Sequence, residues 1–185
     1  GGWYVVEGDV TANSIMIFSE LENIHIILKD NAKLTLAGVE DEGVLMSALI
    51  LGNLSIYAQS IGDNVGSFIT EGAFTAKNLI VNGGSIQAKA VGVKDLPSLK
   101  ANMFTMNGGS VNANYAGIKQ LIINEGSINA NNAYLNELTM NGGFLKASKY
   151  FNNFAIADGT YIADEDGNVY SGTIDDVSDI AGKTL

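Results

Sequence analysis

The chain has 185 residues, which is enough to bury a core and suggests one domain. Its 46% hydrophobic content excludes a disordered chain, and the absence of cysteine excludes disulfides, thiolate metal sites and a cysteine nucleophile. The formal net charge of −10 and the lack of arginine argue against nucleic acid and anionic membranes as partners. No apolar run approaches the ~20 residues that span a bilayer, so no membrane insertion is expected.

Short hydrophobic phrases recur along the chain, each after a turn. Aligned on the hydrophobic residue that follows the turn, the copies are Val10, Leu34, Ile56, Ile86, Val111, Ile128, Leu145 and Ile162. Their spacings are 24, 22, 30, 25, 17, 17 and 17 residues. Self-similarity at such periods is the sequence signature of a solenoid.

Within one unit, alternating hydrophobic residues predict short, half-buried strands separated by turns. Leu121 and Ile123 mark one strand, residues 124–126 form a turn, and Ile128 and Ala130 mark the next strand. Three further hydrophobic residues mark a third strand in successive units, and each is followed three positions later by a second hydrophobic residue. They are Ile118, Leu135 and Phe151. One unit cannot bury three hydrophobic faces by itself, whereas stacked units bury them in continuous columns.

The sequence therefore predicts an all-β fold, a single-stranded right-handed parallel β-helix of about eight coils with short corner turns and capped ends. Right-handedness is predicted because the strict hexapeptide of left-handed β-helices is missing. A hairpin meander gives no reason for strand copies to recur at a constant period. A helical solenoid conflicts with the density of glycine, asparagine and threonine.

We expect one domain over residues 1–185. An N-terminal cap at about residues 1–6 contains Trp3, and an acidic cap at about residues 167–185 closes the other end. Extra loops are predicted at residues 62–72 and 90–100, the second of which contains Pro97. No signal peptide is visible, and we expect the chain to be part of a longer secreted protein.

The opening WYVVEGDVTANSIMI, the phrase IHIILKDNAKLTLAG, the following LSIYAQS and the closing YSGTIDDVSDIAGKTL carry a resemblance. They resemble glycine-rich, right-handed β-helix segments of secreted or surface-anchored proteins of gut bacteria, described as adhesin-like or carbohydrate-binding. The likeness covers nearly the whole chain, and its motifs are repeat motifs, which specify architecture rather than a ligand. It implies an extracellular module, secreted or anchored at the cell surface or outer membrane, related in fold to polysaccharide lyases.

Catalytic β-helices that act on polysaccharides use a carboxylate cluster with calcium and a basic residue, or a pair of carboxylates. Here no two coils place several acids at one strand position. The outward rows of the central coils are neutral: Ser85, Ser110 and Ser127 in one, and Gln87, Asn112 and Asn129 in the next. We therefore expect no catalytic residues and no required cofactor.

His25 is the only histidine, and the alternation in NIHIIL predicts an outward strand residue between inward Ile24 and Ile26. No second histidine supports a metal site. A weak calcium pattern exists at Asp164, Asp166 and Asn168, but Val169 replaces the glycine that the loop needs, which favours an acidic turn. The acidic residues 40–42 are predicted to form a solvated loop.

Four asparagines precede glycine or glutamate at equivalent corners: Asn82, Asn107, Asn124 and Asn141. They could form a sugar-binding row. The structural interpretation is stronger, because asparagine tolerates the left-handed region and stacked amides hydrogen-bond to one another along the helix.

Aromatic residues offer the best binding hypothesis. Tyr134 and Tyr150 are expected outside on adjacent coils ~4.8 Å apart, just before inward hydrophobic residues. Phe144 and Tyr161 are expected to continue the outward serine row, with Lys146 beside them. Such aromatics either bind the apolar face of a sugar or stabilise the sheet. The complete set of candidate ligand-binding residues is Tyr57, Gln87, Asn112, Asn129, Tyr134, Phe144, Lys146, Tyr150 and Tyr161.

The sequence thus predicts a monomeric, non-catalytic, adhesin-like module that binds glycans or surface proteins. Two alternatives stay open: a polysaccharide lyase or hydrolase, and a rigid spacer that displays other domains. A cleft with converging acids and a lysine favours the enzyme, and a groove-free surface favours the spacer.

Overall fold

The computed structural model describes residues 1–62, 64–90, 96–150 and 152–185, with the backbone alone at residue 41. Its described part contains strands, no α-helix and one 3-10 turn at Val177–Asp179. The strands are β1 (Gly2–Val6), β2 (Asp9–Ala12), β3 (Ile15–Ile17), β4 (Asn23–Leu28), β5 (Lys33–Leu36), β6 (Val39–Asp41), β7 (Val44–Ala58), β8 (Ser67–Thr70), β9 (Ala73–Val81), β10 (Ser85–Ala88), β11 (Leu99–Met140), β12 (Phe144–Tyr150), β13 (Phe154–Ile156), β14 (Ile162–Ala163), β15 (Val169–Tyr170) and β16 (Thr173–Ile174). Phe151, a predicted strand marker, lies outside the described residues.

Parallel pairing arranges the strands in three rows, which we call faces. The first face runs β2, β5, β8, β10, β11 and β12. The second runs β1, β4, β7, β9, β11 and β13, and the third runs β3, β7, β9 and β11. Because β7, β9 and β11 belong to more than one face, they bend at the corners. The result is a large, mostly parallel sheet that curls nearly closed, which fits the predicted parallel β-helix.

The register of the first face corrects one part of the sequence alignment. Phe68 pairs with Leu34 on one side and Ile86 on the other, so Phe68 occupies the position predicted for Ile56. Ile56 lies instead on the second face, between Ile26 and Val81. The two phrases alternate in the same way, and only the three-dimensional pairing distinguishes them.

Inward side chains form the predicted continuous columns. The third-face column includes Phe74 paired with Leu99, and the second-face column includes Leu79 paired with Phe104. All four are fully buried. Burying a side chain of this size contributes roughly 1.5–3 kcal/mol, so these columns supply the main stabilisation of the fold.

The corner turns depend on the second glycine of each phrase. Gly109 and Gly126 have φ values of 82° and 89°, a region that side chains with a Cβ avoid. A Cβ at Gly126 would lie 2.5 Å from the carbonyl oxygen of Gly109 in the adjacent coil. The preceding position is less restricted and holds Gly108 in one copy and Glu125 in the next.

The corner asparagines form a hydrogen-bonded ladder, which confirms the structural interpretation. Asn107 Nδ2 donates to Asn82 Oδ1 at 2.9 Å, Asn124 donates to Asn107 at 2.7 Å, and Asn141 donates to Asn124 at 2.7 Å. The left-handed backbone conformation expected at these asparagines lies elsewhere, because positive φ occurs at the glycine two positions later and at none of the four asparagines. Their amides are occupied by one another and do not form an open sugar-binding row.

The C-terminal residues fold back onto the last coils. Strand β16 pairs antiparallel with β13, and Thr184 forms an antiparallel bridge with Lys146. Leu185 exchanges two backbone hydrogen bonds with Leu145, at 2.8 and 2.9 Å. At the other end, Trp3 does not cover the first coil as expected. It pairs with His25 and is 61% exposed on the outer surface of the second face.

The described part of the chain contains no helix with the length and apolar character of a membrane span.

Candidate binding surface

The outer surface of the first face carries a row of amide side chains. Gln87 pairs with Asn112, and Asn129 pairs with Lys146, on neighbouring parallel strands. Asn112, Asn129 and Lys146 are exposed, and Gln87 is half-buried. Strand alternation explains this placement, because each amide lies between two inward residues, as Asn112 lies between Val111 and Ala113. The predicted outward row therefore exists.

The amide row lines a groove of about 320 Å³. Its other polar residues are Lys89, Asn114 and Asn131. Asn131 Nδ2 donates to Asn114 Oδ1 at 3.2 Å, and Asn114 Nδ2 donates to the Lys89 carbonyl. Among the described residues, the side chains of Gln87, Asn112 and Asn129 make no hydrogen bond to one another or to a neighbour. Each therefore presents a donor and an acceptor for an incoming ligand.

Phe144 extends the neighbouring serine row as predicted. It pairs with Ser127, is exposed, and lies on the same strand as Lys146. Tyr161 does not continue this row, so that prediction is wrong. On the side of β12 where the next coil would pair, Lys146 forms its bridge with Thr184. Strand β14, which follows Tyr161, pairs with β15 and not with β12. The C-terminal segment takes the place that another parallel coil would occupy.

The predicted tyrosine pair does not form. Tyr134 is 42% exposed, but Tyr150 is only 4% exposed and pairs with inward Ala133 rather than with Tyr134. The two tyrosines are sixteen positions apart in a repeat of seventeen, so they point to opposite sides of the sheet. Tyr150 packs against Phe154 at a ring distance of 5.5 Å, and burial raises the pKa of its hydroxyl above the ordinary value. It takes no part in an outer surface.

Tyr57 belongs to an aromatic cluster on the second face. Its ring lies 5.4 Å from that of Trp3, and Trp3 stacks on His25 at 4.1 Å with an interplanar angle of 14°. His25 lies between buried Ile24 and Ile26, which confirms its predicted outward position. The sequence interpretation does not find this partner of Tyr57, although Trp3 occupies the same middle place in GWY as His25 in IHI. The stack is a cross-strand pair that stabilises neighbouring strands.

The predicted calcium residues form a different arrangement around Asp164. Its carboxylate accepts hydrogen bonds from the backbone N–H groups of Asp166 and Asn168, at 3.0 and 2.9 Å, and from the Asn168 side chain at 2.9 Å. The Tyr170 hydroxyl and the Lys183 ammonium donate to it as well, each at 2.8 Å. The Asn168 amide, first, and the Lys183 ammonium hold the pKa of Asp164 well below its ordinary value, and the Asp164 carboxylate in turn raises the pKa of Lys183.

This donor set does not fit a calcium ion. The Lys183 ammonium occupies the side of Asp164 that a cation would need, and Asn168 turns its amide N–H₂ rather than its oxygen toward the carboxylate. No group of three or more His, Asp or Glu side chains within the described ranges is arranged to hold a metal. The geometry matches the acidic-turn interpretation, with Asp164 as the buried centre of the C-terminal cap.

Compared with known protein families, curated proteins and solved structures, the chain shows no significant match. The class of protein is therefore defined by the strand register alone, as an all-β, parallel solenoid-like fold.

Proposed function

We propose that this chain is a non-catalytic, adhesin-like β-helix module that binds glycans through the amide row of its first face. The observation that carries the proposal is the alignment of Gln87, Asn112 and Asn129 in one groove, without side-chain partners among the described residues. At the finer level, the proposal includes a right-handed helix of about eight coils that acts outside the cell as a monomer.

The chemistry of the row suits sugar hydroxyls. A carboxamide can donate to one hydroxyl and accept from its neighbour, and strands ~4.8 Å apart repeat this donor–acceptor pair along the groove. A polymer with regularly repeated hydroxyl groups can therefore contact several coils at once. The net charge of −10 disfavours polyanionic glycans, so the expected ligand is a neutral polysaccharide. Exposed Phe144 offers a ring for the apolar face of a sugar.

What supports the non-catalytic part is the composition of the groove. The groove is lined by amides and Lys89, with no carboxylate among its lining residues. General acid–base catalysis of glycosidic cleavage requires positioned carboxyl groups at the scissile bond. Turnover of any bound polysaccharide would contradict this part of the proposal.

The test is a polysaccharide array, run with and without calcium. Asn112→Ala combined with Asn129→Ala should weaken binding about tenfold or more, because two amide contacts worth ~1 kcal/mol each are lost. The matched control is Asn102→Ala with Asn136→Ala, two asparagines that line a separate groove. The control should bind as the parent does. Loss in the control pair alone would refute the amide row, and no binding to any glycan would favour the spacer.

A further inference from the structure

A β-hairpin interrupts the regular coils after β5. Strand β6 pairs antiparallel with the start of β7, with Val39 opposite Met46 and Glu40 opposite Leu45. The connecting residues Glu42 and Gly43 have φ values of 48° and 80°, as a two-residue type I′ turn requires. The segment predicted as a solvated acidic loop is therefore part of a hairpin. Of the strands described, β6 pairs only with β7, so its other edge has no partner strand within the described part of the chain.

A groove of about 710 Å³ lies beside this hairpin. We call it the hairpin groove. Apolar side chains line most of it: Met16, Phe18, Val39, Met46, Leu49 and Leu96. Met16 and Leu49 are paired neighbours on the third face, and Phe18 is 72% exposed. Isolated exposed apolar residues are ordinary, but a continuous apolar groove marks a binding surface, and methionine adapts to varied partners.

The rim of the hairpin groove is acidic. Glu40 and Glu42 both line it and are exposed. An apolar floor, a negative rim and an open strand edge together favour one kind of ligand. An extended peptide can add to a strand edge through its backbone, while alternate side chains enter a neighbouring groove.

We propose that the hairpin groove binds an extended peptide segment of another protein, in which apolar side chains alternate with lysine or arginine. The apolar side chains pack on Met16, Met46 and Leu49, and the cations lie near Glu40 and Glu42. The backbone of the peptide pairs with the open edge of β6. This inference does not depend on glycan binding, which we propose for a different face.

Charge disfavours two other occupants. An anionic lipid surface is repelled by the acidic rim and by the net charge of −10. A second copy of this chain would bring two acidic rims together, which costs free energy when like charges are desolvated.

The probe is a fluorescein-labelled peptide of ten residues that alternates leucine and lysine, followed by fluorescence anisotropy. Two peptides serve as comparisons, one alternating leucine and glutamate and one alternating serine and lysine. The leucine–lysine peptide should bind at least about tenfold more tightly than either, because only this peptide has both apolar side chains for the groove and cations for Glu40 and Glu42. Equal binding of the leucine–glutamate peptide, or no binding of any peptide at about 1 mM, overturns the proposal.

Variants of the protein locate the contact. Glu40→Gln with Glu42→Gln should weaken the leucine–lysine peptide about threefold to tenfold, and less at high salt, because the pairs are exposed. Glu125→Gln, which removes an exposed charge elsewhere, should have no effect. Leu49→Ser should weaken binding about tenfold while the circular dichroism spectrum stays unchanged. Dimerisation that Leu49→Ser abolishes, or binding to phosphatidylcholine vesicles in place of the peptide, would identify another occupant and refute the proposal.

Discussion

Lys183 donates a hydrogen bond at 2.8 Å to the buried carboxylate of Asp164, and this contact ties the last residues of the chain to the turn that begins the C-terminal cap. Its neighbour Thr184 accepts a hydrogen bond from the Glu165 N–H at 3.0 Å. The turn that contains Asp164 and Glu165 is therefore held to the chain segment that contains Lys183 and Thr184 by two adjacent hydrogen bonds. Breaking the contact leaves a carboxylate inside the cap without its cation.

Lys183→Met should lower the thermal unfolding midpoint by on the order of 5 °C, because the methionine keeps the bulk of the side chain but not its charge. Differential scanning calorimetry measures the midpoint. Lys119→Met, at an exposed position, is the matched control and should change the midpoint by much less. Equal shifts for the two variants would mean that the Asp164–Lys183 contact contributes nothing specific.

The same contact predicts an acid-sensitive cap. The pKa of Asp164 is lower in the folded protein than in the unfolded chain, so its contribution to stability is fully present above the ordinary aspartate pKa of about 3.9 and is lost as the pH falls below it. Urea unfolding of the parent and of Asp164→Asn should show a constant difference above about pH 5. The difference should shrink between about pH 4 and pH 2. A difference that does not vary with pH would contradict the assignment.

The contribution of Lys183 to stability depends on pH in the opposite direction. Its pKa is raised in the folded state, so its contribution is present below the ordinary lysine pKa of about 10.4 and decreases as the pH rises above that value. Urea unfolding of the parent and of Lys183→Met should therefore show the full difference in stability at neutral pH, and the difference should begin to shrink only as the pH rises above about 10.4; a difference that grows above that pH would contradict the assignment.

Gly126→Ala and Gly108→Ala should behave differently although both glycines occur in corner turns. At Gly126 an added Cβ meets a backbone oxygen at 2.5 Å and the φ of 89° is unfavourable, so the free energy of unfolding should fall by about 2 kcal/mol or more. At Gly108 the nearest atom is 3.4 Å away and φ is not positive, so the change should be within about 1 kcal/mol. Chemical denaturation compares the two, and equal losses would refute the stacking argument.

Tyr150→Phe should leave stability unchanged or raise it slightly, because the buried hydroxyl has no hydrogen-bond partner in the described structure. Tyr150→Ala should cost about 3–5 kcal/mol, since it empties a core position. Urea denaturation distinguishes this result from that of a surface tyrosine, for which both changes would cost little. If Tyr150→Ala were as stable as the parent, the side chain of Tyr150 would have to lie on the outer surface rather than in the core.

Much of the fold follows from local pattern. Alternation in INEGSINA predicts inward Ile128 and Ala130, and both are buried. The seventeen-residue repeat predicts that Asn107 and Asn124 meet at one corner, and their side chains are hydrogen-bonded. The amide row of the candidate site follows from the same two rules.

The aromatic residues were harder to predict, because a difference of one residue reverses the side of the sheet. Tyr150 lies one position short of the full repeat after Tyr134, and this moves it from the surface into the core. The predicted position of Tyr161 is wrong for another reason. The C-terminal segment pairs antiparallel with β12, and a parallel repeat in the sequence gives no sign of that pairing.

The sequence by itself determined that the chain is all-β, that its strands alternate between core and solvent, and that its corners stack through asparagine and glycine. These features depend on residues close together in the chain, where period and turn chemistry are decisive. Only the tertiary structure decided that Phe68 rather than Ile56 completes the first-face column, that Trp3 stacks on His25, and that the hairpin groove exists. Insertions of different lengths separate those residues, so their meeting depends on how whole coils pack rather than on any local signal.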